Sequence, residues 1–82
     1  MKVIKFSTPS CGQCRVIGEK MRRAGIEYED VDCTTGFGAL RAGHFNISHV
    51  PAVIIVDDDD REVKRFPNLP SIVKAISAGD FS

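Results

Sequence analysis

Two cysteines separated by two residues stand at a strand-to-helix junction, in the stretch Thr8-Pro9-Ser10-Cys11-Gly12-Gln13-Cys14. Before them runs Val3-Ile4-Lys5-Phe6, which reads as a strand. After them Ile17, Met21 and Ala24 recur along one face of a helical pattern. A strand that turns straight into a helix constrains the fold, because a following parallel strand must return by a right-handed crossover. It also has chemical consequences. The free N–H groups and dipole of a helix N-terminus favour an anion. A thiolate is an anion, so Cys11 at the helix start is expected to titrate below the free value of roughly 8.5. Cys14, one turn further in, is expected to be shielded. One sulfur is then poised to attack and the other to resolve, which is the minimum equipment for thiol–disulfide exchange.

The rest of the chain supplies further elements in a definite order. Lys2 to Phe6 reads as a strand with Ile4 and Phe6 on one side, Val3 and Lys5 on the other. Ser10 is a candidate cap for a helix from Gly12 to Ala24, and Gly25 stands in the usual stop position. Arg15–Glu19 and Glu19–Arg23 are spaced as i,i+4 pairs. Ile26 to Val31 reads as an edge strand, polar on one side. Thr34 or Thr35 can cap a weaker helix through Phe45, in which Gly36, Gly38 and Gly43 each cost about 1 kcal/mol against Ala. The β-branched run Ala52-Val53-Ile54-Ile55-Val56 reads as a strand buried on both faces. Asp57 to Asp60 is a solvated turn, and Glu62 to Phe66 returns antiparallel across it. Pro67-Asn68-Leu69-Pro70 breaks the chain. Ser71 to Ala78 is a last helix, with Leu69, Ile72, Val73 and Ile76 inward and Gly79 at its end. The order is β-α-β-α-β-β-α, an α/β architecture of four strands and three helices. Cys11 then lies beyond the C-terminal end of the first strand, the edge at which open α/β sheets form their sites.

Composition excludes several functions. At 82 residues the chain has room for a single domain, expected over 1–82. Eleven basic residues balance eleven acidic ones, so neither a nucleic-acid nor a membrane-surface partner is expected. No apolar run approaches the ~18 residues of a membrane span, and the N-terminus lacks a signal-peptide pattern. Three cysteines are too few, and odd in number, for a disulfide-stapled secreted domain. Reactive or metal-binding thiols in a reducing cytoplasm are the expectation, and a monomer.

On these residues the chain resembles the thioredoxin superfamily. Three features carry the likeness over nearly the whole length: Cys11-Gly12-Gln13-Cys14 after a first strand, the order of elements, and Val50-Pro51 just before a buried strand. Thr8-Pro9-Ser10-Cys11 is similar to the opening of glutaredoxin sites. Cys11-Gly12-Gln13-Cys14 is close to the Cys-Val-Gln-Cys of NrdH redoxins, glutaredoxin-like proteins that reduce ribonucleotide reductase with electrons from thioredoxin reductase. The likeness implies a thioredoxin-like fold with a four-stranded mixed sheet flanked by three helices. It implies a redox-active Cys11–Cys14 pair and no bound cofactor. Pro51 would be cis, and Thr8, Gly12, Gln13, Val50 and Pro51 would meet the substrate. The partners implied are disulfide-bearing proteins, ribonucleotide reductase among the candidates. The electron donor would be a thioredoxin-reductase-like flavoenzyme using NADPH, or glutathione. The chain also departs from its relatives. Lys5 stands where thioredoxins place a buried acid, so their proton relay is missing. His49 stands where glutathione-using glutaredoxins carry Thr, and Phe66-Pro67-Asn68-Leu69 replaces their Gly-Gly turn.

Competing readings attach to several residues. Cys11, Cys14, Cys33 and His44 or His49 could make a tetrahedral Cys3His zinc site, although such ligands usually come as two tight pairs. The fold could also serve as a docking module without catalysis. Cys33 reads as a small, partly buried side chain. His49 is either a surface loop residue or, if charged and beside the sulfurs, a group that favours the Cys11 thiolate. His44 reads as a helix-surface residue, and Phe37, Phe45 and Phe66 as core.

Overall fold

The computed structural model describes residues 1–81; Ser82, the end of the expected 1–82 domain, lies outside them. Its elements follow in the order β1 (Lys2–Ser7), α1 (Gly12–Arg23), β2 (Glu29–Asp32), α2 (Gly36–His44), β3 (Ala52–Val56), β4 (Glu62–Phe66) and α3 (Leu69–Ala78). The four strands form one sheet in the order β2-β1-β3-β4. β1 and β2 are parallel, while β1–β3 and β3–β4 are antiparallel. This is the mixed sheet and element order expected from the sequence. Among the described residues no helix is long and apolar enough to cross a membrane.

The sheet is covered on both faces, which is why every residue of β3 is buried. On one face Ile4, Phe6, Ile54 and Val56 pack with Ala42 and Phe45 from the α2 region. On the other, Val53, Ile55 and Phe66 pack with Ile17 and Met21 of α1 and Ile72 and Ala75 of α3. Burying each large apolar side chain contributes about 1.5–3 kcal/mol. β2 is an edge strand, as its one polar side predicted.

Several boundaries differ from the sequence reading. β2 starts at Glu29 rather than Ile26, because Ile26 N–H is taken by Met21 O as α1 closes. Ile26 and Tyr28 still pack on the core, but from a loop. α3 starts at Leu69 rather than Ser71. Asn68 and Ser71 cap each other reciprocally, and Pro70 falls in the first turn, where its missing N–H removes no helical bond. Ala24 is the exposed C-cap of α1 rather than part of its buried face. Phe37 is 74% exposed and not core, because the buried face of α2 is set by Gly38 and Ala42. Glu19 pairs with Arg23 at 2.7 Å, while Arg15 donates to Pro9 O instead of meeting Glu19. Gly25 and Gly79 end their helices at φ 74°, where other residues are strained.

The glycine-rich α2 exists because it is fixed at both ends. Thr35 Oγ1 accepts from Gly38 N–H at 2.9 Å, and Arg41 forms an ion pair with Glu29 of β2. Gly38 is also demanded by packing: a Cβ there would lie 1.8 Å from the Asp32 carbonyl oxygen. Gly43 has no such neighbour. Gly38→Ala is therefore expected to destabilise the protein by about 1–3 kcal/mol. Gly43→Ala should stabilise it by about 0.5–1 kcal/mol through backbone entropy. Urea denaturation of the two variants checks both signs.

Candidate active site

The antiparallel pairing of β1 and β3 brings the end of one strand beside the start of the other, with Phe6 opposite Ala52. The chain leaving β1 carries Thr8 to Cys14, and the chain entering β3 carries Val50 and Pro51. Segments some forty residues apart in sequence thus meet at one edge of the sheet. Thr8 and Val50 line a common cavity of about 210 Å³, together with His49 and Cys33. Val50–Pro51 is a cis peptide bond, and Pro51 is buried.

Cys11 and Cys14 form a disulfide, with Cα atoms 5.2 Å apart. Cys11, not Ser10, caps α1: its backbone is extended at φ −88° and ψ 103°, and its Sγ accepts from Cys14 N–H at 3.1 Å. The cap is a sulfur because the turn from Thr8 to Cys11, closed by Cys11 N–H to Thr8 O at 3.2 Å, places that residue at the first free amides. The two sulfurs are unequal. Cys11 is partly exposed, whereas Cys14 is 2% exposed. Gly12 and Gln13 between them are exposed on the first turn of α1. Cys14 lines a second cavity, of about 290 Å³, with Lys5, Ser7, Thr8, Asp30 and Asp32 among its walls.

His49 lies beside this edge, and its ring is held at both nitrogens: one meets Ser48 Oγ and the other Pro67 O, each at 3.1 Å. His44 is exposed at the end of α2, against the ring of Phe45. Among the described residues no three His, Cys, Asp or Glu side chains converge as a metal site requires. Asp57 is occupied in its own turn, accepting from Asp59 and Arg61 N–H groups.

No local sequence pattern gives Arg65 a structural role, yet it fixes the loop leading to Val50. Its guanidinium donates to Phe45 O and Asn46 O at the end of α2, and holds Glu62 through two 2.7 Å bonds. Lys5, which the sequence marks only as a departure from thioredoxins, is buried at the same end of the sheet. Its position in an apolar strand was the available signal, since a lysine there must be either an edge residue or a compensated buried charge.

No protein-family model matches the chain. A curated relative, the SPβ prophage-derived thioredoxin-like protein YosR of Bacillus subtilis, is 31% identical over 65 residues, 79% of each chain. This chain belongs to the thioredoxin-like proteins. Thioredoxin 1 of Thermosipho africanus superposes with a TM-score of 0.65 at 22% identity, covering 98% of this chain and 99% of that one. Oxidised thioredoxin O2 of Arabidopsis thaliana gives 0.74 at 18% identity, covering 99% and 75%. Both have the same fold as this chain. A thioredoxin-like protein whose Cys-x-x-Cys pair closes into a disulfide is equipped as a thiol–disulfide oxidoreductase.

Two measurable properties follow from the groups around the site. Arg65 holds the Glu62 carboxyl below its ordinary range. A depressed carboxylate stabilises the fold above its unfolded pKa, about 4.3, and that contribution is lost as pH falls through the folded value. Glu62→Gln should thus flatten part of the loss of urea resistance seen below about pH 4.3. Burial pushes the Cys33 thiol up, and the Asp32 and Asp30 carboxylates add to the rise. In the oxidised protein Cys33 should alkylate with a midpoint above the free thiol value of about 8.5. Asp32→Asn should lower that midpoint in an iodoacetamide pH series.

Proposed function

We propose that this protein is a small redoxin that reduces disulfides in partner proteins. The observation that carries the reading is the pair at the start of α1, with partly exposed Cys11 capping the helix and buried Cys14 behind it. Cys11 thiolate attacks a sulfur of the partner disulfide, and the bond between the partner sulfurs breaks. The mixed disulfide so formed is attacked by Cys14. Cys11–Cys14 closes, and the partner leaves reduced with two electrons. Free amides at the α1 N-terminus favour the attacking thiolate. Val50, exposed in part beside Thr8, offers its backbone to the substrate chain, and the family likeness assigns Pro51, Gly12 and Gln13 to the same contact.

The donor that resets the pair is a thioredoxin-reductase-like flavoenzyme rather than glutathione. Two features support that choice. Phe66-Pro67-Asn68-Leu69 stands where glutathione-using glutaredoxins carry their Gly-Gly turn, and the Pro67 carbonyl is already taken by His49. The likeness of Cys11-Gly12-Gln13-Cys14 to NrdH redoxins nominates ribonucleotide reductase as one partner. A reducing cytoplasm suits a pair that must be returned to the dithiol in every cycle.

Insulin-disulfide reduction tests the assignment. Turnover is expected with a thioredoxin reductase and NADPH, and little with glutathione, glutathione reductase and NADPH. Cys11→Ser should abolish turnover above background. Cys14→Ser should accumulate partners as mixed disulfides on Cys11, visible on non-reducing gels. Absence of turnover with either donor, from protein whose cysteines are shown to be reduced, would assign the fold to docking instead.

A further inference from the structure

Lys5 is a charged side chain only 5% exposed, and it shares a cavity with the buried sulfur of Cys14. An ammonium withdrawn from water must be compensated, and here the compensation is built from four elements. On β2, Asp30 Oδ2 accepts from Lys5 Nζ at 3.3 Å. The other oxygen, Asp30 Oδ1, accepts from Ser7 Oγ at 2.6 Å, so the carboxylate is anchored to β1 twice. The Tyr28 ring lies 5.4 Å from Nζ, within cation–π range. On α1, Gly18 leaves the headroom: a Cβ there would stand 3.1 Å from Nζ and 3.0 Å from the Tyr28 hydroxyl. The sequence thus keeps a positive charge against the wall of the Cys14 cavity.

We propose that Lys5 is a positioning residue for the second half-reaction, its ammonium stabilising the Cys14 thiolate across that cavity. The inference rests on the assignment of Cys14 as the resolving thiol. In the mixed disulfide Cys14 is protonated. Its proton passes to water in the cavity and the electron pair stays on Sγ. That sulfur bonds to Cys11 Sγ as the bond from Cys11 to the partner breaks. The partner sulfur departs as a thiolate and takes a proton from water.

The other charges facing the cavity define the sign. Asp30 and Asp32 approach from β2 and Arg15 from α1. Hydrogen bonds from Thr34 hold Asp32 below its ordinary range, so it is ionised at neutral pH and disfavours a second anion. Arg15 is exposed, and water screens it. Glu19 and Arg22 of α1 lie further out, on an adjoining cavity with Lys5 and Tyr28. Lys5 is therefore the cation that solvent does not screen. Removing its charge leaves the two aspartates opposed only by the water-screened Arg15.

Thiolate ultraviolet absorbance in a Cys11→Ser, Cys33→Ser background reads Cys14 alone. Adding Lys5→Met, which keeps the stem and removes the charge, should raise the Cys14 midpoint by about 1 unit or more. Release of partner at neutral pH, followed in the chain with its native cysteines, should slow about threefold for each such unit, because the roughly tenfold loss of thiolate is partly offset by the greater nucleophilicity of a more basic thiolate. Lys5→Arg should restore the midpoint. Asp30→Asn gives a second, opposite arm: it removes a facing carboxylate and should lower the midpoint. A Cys14 midpoint unmoved by Lys5→Met overturns the proposal. If that variant does not fold, an unmoved or raised midpoint in Asp30→Asn overturns it. The titration needs no turnover, so its failure is distinct from failure of the insulin assay.

Discussion

Everything at the sulfur edge depends on β1 and β3 lying side by side and antiparallel in the middle of the sheet. Their apolar side chains hold the two faces together, and their opposite directions bring the exit of one to the entrance of the other. The loop of Thr8 to Cys11 and the Val50–Pro51 bond are neighbours for that reason alone. α1 follows at once, so its free amides arrive where the chain has just left the sheet. Cys11 then occupies the place that Ser, Thr, Asp or Asn usually takes at a helix start. A core of ordinary composition is thereby converted into a precise placement of two sulfurs.

Much of this was legible in the sequence, and the reasons are physical. β3 was readable to the residue because a β-branched run covered on both faces has no competing interpretation. β4 followed from the short acidic turn. α2 looked weak on propensity, since propensity counts the cost of its glycines and not the close approach of Gly38 to the Asp32 carbonyl. The entry to α3 was misplaced because Pro70 reads as a breaker unless the Asn68–Ser71 cap is recognised. Phe37 departs from expectation because a large aromatic predicts burial, whereas its exposure depends on which face of α2 meets β2.

At the site, the sulfurs and Val50–Pro51 carried a pattern, and Lys5, Asp30 and Arg65 did not. Their roles depend on partners 25 and about 20 residues away, which no local periodicity encodes. Lys5 was visible as a departure from thioredoxins and nothing more. Its meaning came from Gly18, Tyr28 and Asp30, three residues unremarkable in sequence that surround one ammonium. Charged residues in strands are therefore best judged against the strand's neighbour in register, here Lys5 beside Asp30.

The sulfur of Cys11 holds the first turn of α1 through the Cys14 amide, and it is also the atom whose oxidation state changes. Those two duties are thermodynamically reciprocal. A thiolate is a stronger acceptor than a disulfide sulfur, so the helix end draws the reduced form toward itself. By the same cycle, reduction tightens the helix end. The difference in folding free energy between the dithiol and disulfide forms equals, through the factor nF of a two-electron couple, the difference in reduction potential between the folded and unfolded chain. An unfolding curve and an electrode would weigh one and the same quantity in this protein.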